Sequence, residues 1–120
     1  MRQYGRKIVC LTWSAEEDFL KLPPLVRTKF SEILRELEEF GVISYPNGRK
    51  LQGYDLYEMR VKHEGVYRGI YCFWNGKIMV LSFFKKKTQK TPLREIQKAL
   101  RRKIICKIQY YDKRKNNDSR

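Results

Sequence analysis

The chain is poor in the residues that most enzyme chemistries need. It has one histidine and three cysteines in 120 residues. The cysteines, Cys10, Cys72 and Cys106, lie far apart among apolar neighbours. An odd number at no metal-ligand spacing implies reduced, buried thiols and a cytoplasmic home. No cysteine has a convincing histidine partner, which removes support for thiol catalysis. One histidine leaves no room for histidine-rich metal chemistry, so neither a metal site nor a cofactor is expected. Paired carboxylates, a Ser/His/Asp set and a phosphate-binding glycine loop are missing too. No apolar run approaches the roughly 20 residues of a spanning helix, and no signal peptide is visible. No membrane partner is expected.

Negative charge is scarce, and unevenly so. Thirteen acidic residues face 27 basic ones, for a net charge of +14. Residues 1–40 balance seven against seven, whereas residues 41–120 hold twenty basic and six acidic residues. Such asymmetry alone points to a polyanion, either nucleic acid or an anionic membrane. The alternative is charge that serves solubility or meets an acidic protein.

What is present reads as one domain with a single modest core. Residues 1–112 form it, and residues 113–120 read as a polar, basic, frayed tail. Residues 7–13 read as a buried strand. Ser14 and Glu17 form a capping box that opens a short helix to about Leu22. Pro23-Pro24 breaks it, and the second proline suits the first turn of a new helix. Val26, Phe30, Ile33, Leu37 and Phe40 then make one apolar stripe, ended by Gly41. Residues 44–55 read as loop. Three strands follow, the last two joined at Asn75-Gly76. Thr91 caps a C-terminal helix with Pro92 at its first position. Leu93, Ile96, Leu100, Ile104 and Ile108 are its stripe, and Tyr110 and Tyr111 are expected to pack on the domain. The fold class is α+β: a small antiparallel sheet (the N-terminal strand plus a three-strand meander), covered by a two-helix hairpin, with a C-terminal helix.

The meander holds the most informative feature. His63-Glu64-Gly65 joins its first two strands, with glycine where the backbone turns left-handed. That register sets Lys62 opposite Val66 and Arg60 opposite Arg68. Like charges directly opposite destabilise a sheet, so an anion is expected between the arginines. A phosphate is the candidate. The Asn75-Gly76 turn sets Arg68 opposite Phe83. One face then carries Tyr57, Met59, Val61, Tyr67, Tyr71 and Phe84 and packs on the helices. The other carries Glu58, Arg60, Lys62, Arg68 and Phe83, with Lys85 at one end, beside a greasy floor of Leu56, Ile70, Cys72, Met79 and Leu81. This is the layout of a concave binding surface. The reading fails if the two arginines lie on opposite sides of the sheet. It fails equally if each is neutralised within the chain, by Glu58 or Glu64.

Arg60, Arg68, Lys85 and Lys86 are the candidate catalytic residues. Lys62, Phe83, Lys87 and Lys90 are the candidate RNA contacts. Arginine holds phosphate bidentately, while lysine acts as a point charge. Such a cluster can cut RNA without a metal, because the substrate's own 2′-hydroxyl is the nucleophile. The protein orients it, stabilises charge on phosphorus and assists proton transfer. Lysine takes the last role when neighbouring cations and desolvation lower its pKa. Phe83 is placed to stack a base. The lysine run reads equally as a solvated strand exit, and His63 as an exposed turn residue.

These residues resemble the RelE/ParE toxin superfamily, most of all its HigB-like, phage-associated branch. The matching stretches are Leu-Tyr-Glu-Met-Arg (56–60), Gly-Val-Tyr-Arg-Gly-Ile-Tyr (65–71) and Phe-Phe-Lys-Lys-Lys-Thr-Gln-Lys-Thr-Pro (83–92). The similarity spans roughly residues 5–110. It implies a RelE-like fold and the toxin of a type II toxin–antitoxin module. It further implies a ribosome-dependent mRNA endonuclease, or mRNA interferase, that leaves a cyclic phosphate and a 5′-hydroxyl. The implied partners are mRNA on the ribosome and a cognate antitoxin, a helix-turn-helix protein covering the basic face. The family's working arginine falls on Arg68 and its earlier basic residue on Arg60. Its basic position after the last strand falls on Lys85 or Lys86. A tyrosine sometimes found near the start of the final helix is absent, and Thr91-Pro92 stands there. ParE-like relatives share the fold but poison gyrase, and an RNA-binding module without catalysis is a further alternative.

Overall fold

The structure, a computed structural model, describes residues 8–41, 43, 47–87 and 90–118, with side chains as far as Gln109. Its elements run β1 (Ile8–Leu11), α1 (Trp13–Leu20), α2 (Pro24–Phe40), β2 (Gly48–Leu51), β3 (Leu56–Lys62), β4 (Val66–Trp74), β5 (Lys77–Lys86) and α3 (Leu93–Asp118). The five strands form one sheet in the order β1-β5-β4-β3-β2. Four of them are antiparallel neighbours, and β1 pairs parallel to β5. The expected α+β class holds, with one addition, β2, and one correction: the N-terminal strand joins the sheet parallel, not antiparallel. β2 lies inside the segment read as loop; Arg49 and Lys50 carry no apolar signal there. The parallel edge follows from the helix hairpin between β1 and the rest, which returns the chain across the sheet.

α1 and α2 pack on one face. Ala15, Val26, Phe30 and Leu37 are fully buried against Met59, Ile78 and Val80. Thr12, not Ser14, caps α1: its hydroxyl accepts from Ala15 N at 3.2 Å. The strand ends two residues earlier than expected, and the cap moves with it. The last member of the α2 stripe, Phe40, is 63% exposed, at the helix's final residue before Gly41 turns left-handed at φ 78°. Asn75 and Gly76 both take positive φ, at 55° and 73°, as a two-residue hairpin turn requires.

α3 covers the far half of the second face. Ile96 and Ala99 are buried over Leu51, Leu56, Ile70, Cys72, Met79 and Leu81, with Leu100 and Cys106 alongside. The greasy floor is therefore core; of the cationic half, Arg60, Lys62 and Lys86 keep some exposure while Glu58 and Arg68 are buried. Leu93, Ile104 and Ile108 of the expected stripe are more than half exposed. The line that packs on the sheet runs instead through Ile96 and Ala99, with Leu100 and Cys106 partly buried beside them. The helix backbone continues through 113–118, where the sequence suggests a separate tail. The side chains of Tyr110 and Tyr111 lie outside the described residues.

β5 contains the feature that decides the site. Ile70 pairs with Ser82 but Tyr71 pairs with Val80, so Leu81 is an extra residue in a bulge. Every side chain beyond it changes face relative to an unbulged strand. The edge of β5 beyond β1 is covered by side chains. Asp18 accepts from Phe83 N at 3.3 Å, and Arg102 donates to Leu81 O at 2.8 Å and to Asp18 at 2.7 Å.

Candidate functional site

The cationic half of this face is a grid built by register. One row reads Arg49, Glu58, Ile70; the next reads Arg60, Arg68, Phe84; the third reads Lys62, Val66, Lys86. The hairpin register is the expected one, and Arg60 and Arg68 do stand opposite each other on one face. The bulge changes the β5 entries. Phe84, not Phe83, is Arg68's neighbour.

Phe83 is a correction. Its side chain is buried on the helix face, with ring centroids 5.3 Å from Phe19 and 4.9 Å from Phe30. It cannot stack a base without leaving the core. Gly69 makes the space: a Cβ there would lie 2.9 Å from Met59 Cε and 3.0 Å from Phe83 Cε1. Lys85 shifts likewise. It pairs with Tyr67, and its Nζ lies 5.6 Å over the Tyr67 ring on the helix side. Of the two lysines left open by sequence, Lys86 shares the face of the arginines.

The anion beside Arg68 is also a correction. It is not an external phosphate but the chain's own Glu58. Arg68 is 1% exposed and Glu58 fully buried. Arg68 Nη1 donates to Glu58 Oε1 and, at 3.1 Å, to Thr91 Oγ1. Thr91 donates its hydroxyl to Glu58 Oε2, and Arg49 Nε donates to Oε1 at 3.1 Å. Burial alone would push the Glu58 carboxyl up. The hydrogen bonds from Arg68 and Thr91 and the charges of Arg68 and Arg49 outweigh it, and the net pKa lies below the ordinary value. Glu58 is thus ionised at neutral pH. Thr91 spends its hydroxyl on this knot, and Pro92 O accepts the first amide bonds of α3 instead, from Glu95 and Ile96.

Arg60 is different. It is half-buried and forms no ion pair among the described residues. With Lys29, Glu32, Lys62 and Asn47 it lines a cavity of about 430 Å³ between α2 and the end of β3. Glu64, the other carboxylate considered for the arginines, lies 3.6 Å from His63 instead. Lys86 is half-buried across the grid. Burial, then the positive charges of Arg68 and Arg60, lower its pKa from the ordinary lysine value, with Glu58 opposing. Lys62, Lys87 and Lys90 are exposed. Thr88 and Gln89 of the Lys-Thr-Gln-Lys motif lie outside the described residues.

Sequence reasoning offered Glu58 as an alternative partner for the arginines but not as the centre of the site, and it missed Arg49 and Thr91 as supports. The signal was available in part: Glu58 is the only acidic residue on the cationic face of the meander. Among the described residues no group of histidine, cysteine, aspartate and glutamate is placed to hold a metal. The cysteines are free. Cys72 is buried and its thiol is pushed up to about 11 by burial, which makes it a poor nucleophile. Cys10 is exposed, against expectation, because β1 is an edge strand.

The fold is that of a RelE-type toxin domain. The E. coli toxin RelE, a double-arginine variant in the free state, matches with 23% identity and a TM-score of 0.63, over 81% of this chain and 97% of that one. The intact E. coli RelBE toxin–antitoxin complex matches with 27% identity and a TM-score of 0.57, over 68% and 99%. The YoeB dimer of Staphylococcus aureus matches with 20% identity and a TM-score of 0.53, over 70% and 100%. No curated protein sequence matches. The chain belongs to the phage derived protein Gp49-like family (DUF891), whose model matches residues 17–104. That family lies within the RelE-like toxin superfamily. No helix among the described residues is long and apolar enough to cross a membrane.

Proposed function

We propose that the chain is the HigB-like toxin of a type II toxin–antitoxin pair and cuts mRNA on the ribosome in the cytoplasm. The observation that carries this reading is the pair of partly exposed cations, Arg60 and Lys86, on the strands either side of Arg68, whose own charge is met by Glu58. Arg60 binds a non-bridging oxygen of the scissile phosphate. The deprotonated fraction of Lys86, enlarged by its lowered pKa, accepts the 2′-hydroxyl proton on Nζ. The 2′ oxygen attacks phosphorus, the bond to the 5′ oxygen breaks, and that oxygen takes a proton from solvent. A cyclic phosphate and a 5′-hydroxyl result. Arg68 is a positioning residue: Glu58 and Thr91 hold it between the two working cations, where its charge helps depress Lys86. Lys62, Lys87 and Lys90 attract the RNA backbone. The likeness to the RelBE complex supports a cognate antitoxin that covers this basic face.

The test is controlled expression with mapping of mRNA 5′ ends. Wild type should generate new ends. Arg60→Ala should lower cleavage by about 100- to 1000-fold, the loss of one charged donor to the transition state, with the fold intact. Unbroken mRNA accompanied by a DNA-damage response would replace this reading with the gyrase one.

A further inference from the structure

A second cavity, about 470 Å³, adjoins the Glu58–Arg68–Thr91 knot. Arg49 and Thr91 belong to both. The rest of its wall includes Leu51, Gln52, Tyr54 and Ile96. Its size lies in the range of roughly 300–1000 Å³ that suits a small ligand. Its chemistry is that of a nucleotide site. Leu51 and Ile96 are buried and form an apolar floor. The Tyr54 ring packs half-buried against the same cluster, so it is already ordered before anything binds. Every base has a π-face that stacks on such a ring. Gln52, in the turn between β2 and β3, carries both a donor and an acceptor for a base edge. Arg49 gives only its Nε to Glu58, which leaves its other N–H donors for a phosphate. Lys50 and Lys90 add positive charge at the rim.

We infer that this cavity holds the nucleotide next to the one that is cut, with its base on Tyr54 and its phosphate on Arg49. The inference rests on the nuclease reading above. It makes the β2–β3 turn the part of the chain that selects sequence, and it assigns the ligand as single-stranded RNA. A duplex cannot offer an unstacked base to Tyr54.

The probe is a short RNA with 2′-O-methyl groups throughout, which binds but cannot be cut. Fluorescence anisotropy at several salt concentrations follows its binding. Tyr54→Ala should weaken binding by about tenfold or more, while Tyr54→Phe, which keeps the ring, should stay within about twofold. Arg49→Ala should weaken it and lower the slope against log salt by about one. In wild type, a 5-bromouridine version should photo-crosslink to Tyr54, a result independent of any variant's folding. Binding by Tyr54→Ala equal to wild type, no saturable binding by wild type, or a crosslink confined elsewhere overturns the assignment. If Tyr54 proves irrelevant while Arg60-dependent cleavage persists, the cavity assignment falls and the nuclease stands. If binding depends on Tyr54 while mRNA stays intact, the cavity stands and the nuclease falls.

Discussion

Replacing Glu58 by glutamine isolates the charge at the centre of the site. The amide keeps the shape and can still accept from Arg68, but the countercharge is gone. Arg68 is 1% exposed, so it would be left buried without its countercharge. Breaking a buried pair by removing one partner costs about 3–5 kcal/mol. Because the amide still accepts a hydrogen bond, the lower end, about 3 kcal/mol, is expected here. That is a large part of the roughly 5–15 kcal/mol of a typical domain. With a urea m-value of about 2 kcal/mol/M, the unfolding midpoint should fall by about 1.5 M.

The pH dependence gives an independent check. Glu58's folded pKa lies below its unfolded value. Its contribution is therefore present above the unfolded pKa and is lost as pH falls through the folded one. Wild type and Glu58→Gln should thus differ most at neutral pH and converge in acid. A double variant, Glu58→Met with Arg68→Met, should be more stable than Glu58→Gln, because it removes both charges together. A midpoint shift under about 0.3 M, or a gap that does not narrow in acid, would refute the reasoning.

Three other outcomes follow from the same geometry. Gly69→Ala should cost about 1–3 kcal/mol in urea unfolding, because its Cβ presses on Met59 and Phe83. Asp18→Ala removes the acceptor shared by Arg102 and Phe83 N and should cost about 1–3 kcal/mol; hydrogen exchange at the Phe83 amide should quicken in step. Lys86→Arg keeps the charge but cannot deprotonate, so RNA binding should persist while cleavage falls about 100- to 10,000-fold. The rise of wild-type cleavage with pH through the lowered Lys86 pKa should vanish in that variant, and an unchanged pH profile would remove Lys86 from proton transfer.

Much of the frame was readable from residue order. The glycine-ended loop at 63–65 and the Asn75-Gly76 turn fix two strand pairings by backbone geometry alone, and both registers occur near their turns. The helix hairpin follows from its proline break and apolar stripe. What escaped was one inserted residue. Leu81 and Ser82 look like ordinary strand residues, and nothing in them announces a bulge. Yet that insertion exchanges Phe83 with Phe84 and Lys85 with Lys86. The central, buried place of Glu58 escaped for another reason. An isolated acid among basic residues suggests a solvated surface pair, and its burial depends on Thr91 arriving from 33 residues away. Long-range closure of that kind leaves no local pattern.

The internal pairing of Arg68 changes which residues can do work, and the sheet shows how. Adjacent strands lie about 4.8 Å apart, so β3 and β5 are separated by roughly 9–10 Å. Arg60 and Lys86 project from those outer strands, with Arg68 on the strand between. Had Arg68 been unpaired, three like charges would crowd one face with no counterion, and the hairpin would open or the pKa of each would shift to relieve it. Glu58 removes that repulsion from below the surface. The gap between the outer cations is then about wide enough for one phosphate and its ribose, reached by two long side chains. On the proposed reading, the substrate supplies the negative charge that Arg60 and Lys86 lack, so the site is complete only when RNA lies across the grid.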